Sequence, residues 1–149
     1  MRIFTALLLT LSALAAADAT LTCEGAPNST GRGAVLRWTG GFDPYEGGLR
    51  VEGLPASQPG FVLYSMGESQ VPWGDGDLCL SGPIWILARV VSDPAGLLRL
   101  DLATDGDEED LRWLDYMDQQ TWYFQYAYRD PAAAGTGFNL SSALAVTFE

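Results

Sequence analysis

The stretch TWYFQYAYR, residues 121–129, is typical of a β-strand with one buried face. Its even-numbered positions carry one tryptophan, one phenylalanine and two tyrosines, and its odd-numbered positions include Tyr123, Gln125 and Arg129. Successive side chains of a strand point to opposite faces. This alternation therefore places four aromatic side chains on a single face: Trp122, Phe124, Tyr126 and Tyr128. The stretch therefore predicts a strand that packs one face on a hydrophobic core.

Similar short runs recur on both sides of this stretch, separated by turns rich in Gly, Pro and Asp. No segment after residue 19 shows a convincing helical period. The spacing predicts an all-β fold, an antiparallel β-sandwich (jelly-roll or Ig-like) of seven or eight strands with one core. The other predicted strands are Ala34–Thr39, Gly48–Leu54, Phe61–Met66, Ile84–Ser92, Leu97–Leu102 and Ala143–Phe148, with a short piece at Leu78–Leu80.

The sequence Asp93-Pro94-Ala95-Gly96 has Pro at the second and Gly at the fourth position of a turn. We expect it to join Ile84–Ser92 to Leu97–Leu102 as a hairpin. The segment Asp105–Asp118 is interpreted as a single helical turn or a loop that carries Leu111, Trp113 and Leu114. Alternation within the predicted strands Leu97–Leu102 and Ala143–Phe148 predicts six further core side chains: Leu98, Leu100, Leu102, Leu144, Val146 and Phe148.

The N-terminus has the order of a secretory signal peptide: Met1-Arg2, an apolar run Ile3–Ala17 and the cleavage pattern Ala17-Asp18-Ala19. We expect residues 1–19 to be removed and residues 20–149 to form a single domain. A buried N-terminal helix is the alternative. The apolar run is shorter than the ~20 residues of a membrane-spanning helix, and no later run is as long. The pattern predicts an extracellular, periplasmic or cell-surface protein with no membrane span.

Composition narrows the possible functions. The chain has 19 acidic and 8 basic residues, a net charge of -11, and neither histidine nor lysine. Nucleic-acid binding is not expected, because phosphate contacts require a basic surface. Ser-His-Asp catalysis, histidine-ligated zinc and lysine-containing P-loops cannot be built from these residues. We predict no catalytic residues and no enzymatic activity.

Cys23 and Cys79 are the only cysteines. In an exported chain an even number of cysteines indicates a disulfide, and two cysteines allow one connectivity. Two separate buried thiols are the alternative. A catalytic thiol is disfavoured because no histidine is present to generate its thiolate.

Five short motifs together resemble a family of uncharacterised secreted bacterial domains that is common in planctomycetes. Members of that family often form the C-terminal domain of larger exported proteins. The resemblance implies a secreted β-sandwich with Cys23 paired to Cys79, and it implies no activity. The chain departs from the pattern at Asp75 and Asp77 and in its acidic run. The motifs are Cys23-Glu-Gly-Ala-Pro-Asn-Ser-Thr-Gly, Val71-Pro-Trp-Gly-Asp-Gly-Asp-Leu-Cys79, Trp122-Tyr-Phe-Gln-Tyr-Ala-Tyr-Arg129-Asp-Pro, Phe138-Asn-Leu-Ser and Ala143-Leu-Ala-Val-Thr-Phe148.

The acidic run Asp105-Gly-Asp-Glu-Glu-Asp110 is a candidate calcium site, because calcium takes six to eight oxygen ligands. Its candidate ligands are Asp105, Asp107, Glu109 and Asp110. An EF-hand register fails, since its twelfth position would be Tyr116 instead of glutamate. A solvated acidic loop is the alternative, and calcium is the only cofactor considered.

Five tryptophans suggest carbohydrate binding, because exposed aromatic rings stack on sugars. Trp38, Trp85 and Trp122 lie in predicted strands and are expected to be buried. The candidate ligand-binding residues are Trp73, which lies between Pro72 and Gly74, and Trp113, Tyr116 and Tyr123.

These features favour a non-enzymatic extracellular structural, adhesive or assembly module. Its predicted partners are further copies of the chain or an extracellular glycan. Edge strands of a sandwich, and a C-terminal strand such as Ala143–Phe148, can extend a neighbour's sheet. A carbohydrate-binding module is the first alternative, and a calcium-stabilised surface domain is the second.

Overall fold

The computed structural model describes residues 17–106 and 112–149, which form two antiparallel sheets and two single helical turns, α1 (Leu102–Asp105) and α2 (Arg112–Asp115). The strands are β1 (Asp18–Cys23), β2 (Val35–Gly40), β3 (Gly47–Glu52), β4 (Pro59–Trp73), β5 (Gly76–Val91), β6 (Leu98–Asp101), β7 (Thr121–Arg129) and β8 (Phe138–Thr147). One sheet has the order β1-β8-β7-β4-β5 and the other β2-β3-β6. The predicted antiparallel β-sandwich with one disulfide is confirmed.

The main core lies between the two sheets and is largely aromatic on the side of the five-stranded sheet. Phe124 and Tyr126 of β7 are fully buried there, and they belong to the same cluster as Leu36, Leu49 and Val51 of the three-stranded sheet. The alternation in residues 121–129 therefore identifies the buried face correctly. The six core side chains predicted from the segments 97–102 and 143–148 are all buried as well: Leu98, Leu100, Leu102, Leu144, Val146 and Phe148.

The predicted hairpin at Asp93-Pro94-Ala95-Gly96 is wrong, although the turn itself forms. The Asp93 carboxylate accepts hydrogen bonds from the backbone N–H groups of Ala95 and Leu97, each at 2.9 Å. The strand before the turn pairs with β4, whereas β6 pairs with β3. Crossing from one sheet to the other lets both flanking strands contribute apolar side chains to the same core. The turn is thus a corner of the sandwich.

The predicted pieces Leu78–Leu80 and Ile84–Ser92 belong to one long strand, β5. Its partner β4 pairs with β7 only as far as Ser65, and beyond that point the β4–β5 hairpin continues alone. We call residues 67–82 the hairpin arm. Gly67 has its Cα close to Ser81, and Gly82 has a φ of 77°, so glycines stand on both strands where the arm begins.

The hairpin arm covers the outer face of the five-stranded sheet. Leu80 packs there against Leu63 and Leu140, in a cluster separate from the main core. The disulfide between Cys23 and Cys79 links the arm to β1, with an S–S distance of 2.06 Å. The chain is therefore three layers deep over part of its area, and the third layer is covalently attached.

At the N-terminus, Asp18 pairs with Thr147 and Ala19 pairs with Val146, so β1 begins inside the predicted cleavage pattern. The preceding residues of the predicted signal peptide lie outside the described residues. In the part of the chain that is described, no helix is long and apolar enough to cross a membrane.

Candidate functional site

An open cleft lined by aromatic side chains lies at the end of the five-stranded sheet where β4, β5 and β7 meet α2. Its volume is about 360 Å³, within the range of small-molecule sites. Three strands and the segment that contains α2 each contribute to it. The lining residues are Tyr64, Met66, Trp85, Trp113, Tyr116, Gln120 and Trp122.

Tyr64 is the centre of this aromatic cleft. Its ring centroid lies 5.6 Å from those of Trp85 and Trp113 and 5.7 Å from that of Trp122. Tyr64 pairs directly with Trp85 across β4 and β5 and with Phe124 across β4 and β7. The register of the strands therefore brings together the rings of Tyr64, Trp85 and Phe124. The Trp113 ring, from α2, packs against Tyr64 as well.

The floor and the rim of the cleft differ in exposure. Tyr64 and Trp122 are buried, whereas Trp85 is 40% exposed and Tyr116 is 72% exposed. The accessible surface therefore consists of ring faces and edges together with the Met66 side chain. None of the described residues that line the cleft carries a carboxylate, thiol or guanidinium group, and those residues offer apolar contact and stacking.

The cleft continues into the apolar outer edge of β5. Ile84, Ile86 and Val91 are 37%, 39% and 62% exposed, and β5 is the last strand of its sheet. An edge strand presents unpaired backbone groups, and proteins usually protect such edges with charged residues, prolines or bulges. Here the segment 84–91 carries one charged residue, Arg89, whose guanidinium lies 5.9 Å from the Phe61 ring centroid. Its register with β4 shifts once, at Leu87 between Ile86 and Ala88. We call residues 84–91 the β5 edge.

The structure brings together two of the four predicted ligand-binding residues. Trp113 and Tyr116 both line the aromatic cleft. Trp73 is exposed, but it lies at the tip of the hairpin arm, 5.2 Å from the Phe138 ring centroid. Tyr123 is half-buried on the outer face of the sheet, next to the cluster of the arm.

Among the tryptophans predicted to be buried, Trp122 is buried and Trp38 is half-buried, with its indole N–H donating to the Gly41 carbonyl at 3.0 Å. The prediction is wrong for Trp85. Its strand lies at the edge of the sheet, so the ring is covered on one side only. Sequence reasoning therefore missed Trp85 as a site residue, and it also missed Met66 and Gln120, which no motif marks.

The predicted calcium ligands are only partly described. Asp105 accepts a hydrogen bond from the Asp101 backbone N–H at 2.7 Å, and Asp101 in turn accepts one from Ala103 N–H at 3.0 Å. Asp107, Glu109 and Asp110 lie outside the described residues. Within residues 17–106 and 112–149, no group of three acidic or cysteine side chains is placed to hold a metal ion.

Two buried tyrosines on β7 lie away from the cleft and have perturbed acidity. Burial raises the pKa of Tyr126, whose hydroxyl donates to the Val90 carbonyl at 3.0 Å. Burial also raises the pKa of Tyr128, to about 12. The hydrogen bond from Asn28 lowers this pKa, and the negative charge of Asp130 raises it. Both phenols are neutral structural groups at neutral pH.

Comparison with known proteins gives no relative: no family model, no curated protein and no solved structure matches the chain significantly. The fold and the surfaces described above are therefore the basis for assigning a function.

Proposed function

We propose that this chain is a secreted, non-enzymatic assembly module in which the β5 edge pairs with the β5 edge of a second copy. The observation that carries the proposal is the exposure of Ile84, Ile86 and Val91 along a terminal strand. Antiparallel pairing of two such edges would satisfy backbone groups and bury the apolar side chains of both copies. The contact would be isologous, and it would join two five-stranded sheets into one.

The topology argues against assembly through the predicted C-terminal strand. Residues 143–147 belong to β8, which pairs with β1 on one side and β7 on the other. Donating this strand to a neighbour would break both pairings, whereas the outer side of β5 pairs with no strand in the described part of the chain. Assembly through β5 therefore requires no unfolding of either copy.

Charge favours a local apolar contact over a broad one. Two copies that each carry a net charge of -11 repel each other, and this repulsion weakens in salt. The β5 edge is nearly uncharged, so its association should strengthen as ionic strength rises. The disulfide and the N-terminal pattern support an oxidising location outside the cytoplasm, where this assembly would take place.

Light scattering of the purified protein over a range of concentrations tests the proposal. We expect a concentration-dependent dimer, and we expect Ile86→Lys to weaken the association at least tenfold by placing a charge on the edge. Leu21→Lys is the matched control, because Leu21 is an exposed apolar residue on β1, the opposite edge of the same sheet. A wild-type protein that stays monomeric at every concentration, or equal effects of the two substitutions, would contradict the proposal.

The aromatic cleft favours a second candidate function, the binding of a neutral glycan. Trp85 and Tyr116 expose ring surface on which a sugar can stack, and Gln120 supplies an amide for its hydroxyl groups. We expect cellohexaose or xylohexaose to bind and to quench tryptophan fluorescence. Tyr116→Ala should abolish this binding, whereas Trp73→Ala, which truncates an exposed ring outside the cleft, should leave it unchanged. Loss of binding in both variants, or none in the wild type, would exclude this candidate.

A further inference from the structure

The outer face of the three-stranded sheet carries a row of arginines. Arg37 on β2 pairs directly with Arg50 on β3, and Arg50 pairs directly with Arg99 on β6. Directly paired residues project from the same face, and this face is opposite to that of the buried Leu36, Leu49 and Leu100. Three of the eight basic residues of an acidic chain thus form one line across three strands.

This row is only partly neutralised. Glu52 lies 2.7 Å from Nη2 of Arg50 and 3.5 Å from Nε of Arg37. The Arg99 side chain makes no hydrogen bond or ion pair with any described residue, and Nε of Arg50 is buried without a hydrogen-bond partner among them. Like charges placed opposite one another destabilise a sheet, and among the described residues only Glu52 forms ion pairs with the row, which leaves unused donors there.

The surface around the row is concave. Depressions of about 380 and 450 Å³ lie on its two sides, and Arg50 lines both of them. Arg32 lines the second depression, and Gly48 stands between Thr39 and Asp101 in the next row of the sheet, where a side chain would otherwise fill the surface. We call the surface formed by Arg32, Arg37, Arg50 and Arg99 the arginine trough.

We propose that the arginine trough binds a linear acidic polysaccharide through its carboxylate or sulfate groups. Guanidinium groups bind such anions through two parallel hydrogen bonds, and neighbouring strands place them at steps of about 4.8 Å. The trough is open and elongated, as a polymer requires. No aromatic side chain is among the described residues that line it, so those residues give nucleic-acid bases no surface for stacking.

Charge elsewhere on the molecule limits the polymer to this face. Asp101, Asp105 and Glu46 line the depression at one end, and they would repel an anionic chain from that side. The polymer should therefore lie across the arginine row and continue towards Arg32. The net charge of -11 makes adventitious binding of a polyanion on other surfaces unfavourable.

This inference goes beyond assembly and is independent of it, because the arginine trough and the β5 edge lie on different sheets. Fluorescence anisotropy with labelled heparin and with an alginate oligomer tests it, and labelled neutral dextran is the reference. We expect binding of at least one anionic polymer that weakens steeply with salt, and no binding of dextran. The heparin and alginate measurements distinguish sulfate from carboxylate recognition.

Variants of equal charge provide the decisive comparison. Arg99→Gln should weaken binding at least tenfold, and Arg99→Lys should weaken it about threefold, because lysine keeps the charge but loses the planar pair of donors. Arg129→Gln changes the net charge identically on an exposed residue of the other sheet, and its affinity should stay within twofold of the wild type. Thermal unfolding checks that each variant folds.

Three outcomes would overturn this proposal. The first is equal weakening by Arg99→Gln and Arg129→Gln, which would show a general charge effect. The second is the absence of binding to both anionic polymers at low salt. The third is self-association that depends on Arg99 without polymer binding, which would make the trough a contact between copies of the protein. A wild-type protein that binds the polymer but stays monomeric at every concentration would separate failure of the β5 edge from failure of the trough.

Discussion

The side-chain oxygen of Gln125 accepts a hydrogen bond from the backbone N–H of Cys79 at 2.9 Å, beneath the hairpin arm. Its amide nitrogen donates to the carbonyls of Asp77 and Ser141, each at 2.9 Å. Gln125 is fully buried, and its one side chain satisfies three backbone groups, two of them in buried hydrogen bonds. The polar interior of a three-layer region thus depends on a residue in the middle of β7.

Substitution of Gln125 by Ala should therefore be costly. It would leave three backbone groups without partners and open a cavity under the arm, and we expect a loss of about 2–4 kcal/mol in the free energy of unfolding. Urea denaturation measures this loss. Gln70→Ala is the control, because the exposed Gln70 bonds only the Asp77 carboxylate on the same arm, at 3.0 Å, and should change stability by less than about 0.5 kcal/mol. Similar midpoints for the two variants would refute the role assigned to Gln125.

The disulfide should stabilise the attachment of the arm as well as the whole fold. Cys23 and Cys79 are separated by 56 residues, and the chain-entropy model gives about 4 kcal/mol for a loop of this length. We expect the double variant Cys23→Ser, Cys79→Ser to lose stability of this order. Limited chymotrypsin digestion should then cleave first after Trp73, at the tip of the arm. If the arm of this variant resists cleavage as well as that of the wild type, packing and Gln125 are sufficient to hold it.

Two glycines of the arm provide a matched pair of backbone tests. Gly74, in the turn at the arm tip, has a φ of 63°, and a Cβ there would lie 2.4 Å from the Phe138 ring. Gly82 has a φ of 77°, but no atom of the described residues lies within 4 Å of the position of a Cβ there. Gly82→Ala should cost only the left-handed backbone strain, about 1–2 kcal/mol. Gly74→Ala should cost about 1 kcal/mol more, because the Phe138 ring must move.

Equilibrium denaturation of the two alanine variants measures this difference. Fluorescence of Trp73, which packs on Phe138, should shift in Gly74→Ala and remain unchanged in Gly82→Ala. A Gly82→Ala variant that is the less stable of the two would show that strain at the base of the arm dominates over contact at its tip.

The sequence pattern predicts the parts of this fold that depend on alternation along one strand. The buried face of β7, and the inward leucines of β6, are local properties, because each strand packs one face on the core. Pairing between strands is not local. The Asp93 turn predicts a hairpin, yet its two flanking strands belong to different sheets. The residues of a turn do not determine which strand each flanking segment pairs with.

The same limit applies to the candidate sites. Trp85 has the sequence context of a core residue, and only its place at the edge of the sheet exposes it. Arg37, Arg50 and Arg99 are separated along the chain, and only the register of β2, β3 and β6 aligns them. The sequence predicts Trp113 and Tyr116 as candidate ligand-binding residues because acidic residues flank them, and both line the cleft.

The stacked pair Tyr126 and Tyr128 should make the protein sensitive to alkaline pH. Their ring centroids are 5.8 Å apart, and burial raises the pKa of both phenols above the ordinary value of 10.0. Above that value an unfolded chain loses both protons while the folded chain keeps them, so the unfolded state binds fewer protons. The free energy of unfolding should therefore fall as pH rises above 10, by about 1.4 kcal/mol per pH unit for each tyrosine.

This loss should continue until the pH passes the folded pKa of Tyr128, about 12, because deprotonation then occurs in the folded chain as well. Rapid urea denaturation at a series of alkaline pH values measures the slope. Tyr128→Phe should reduce the slope by the contribution of one proton, about 1.4 kcal/mol per pH unit. Tyr116→Phe, at an exposed residue, should leave the slope unchanged. Equal slopes in the wild type and in Tyr128→Phe would mean that the buried phenol does not control alkaline stability.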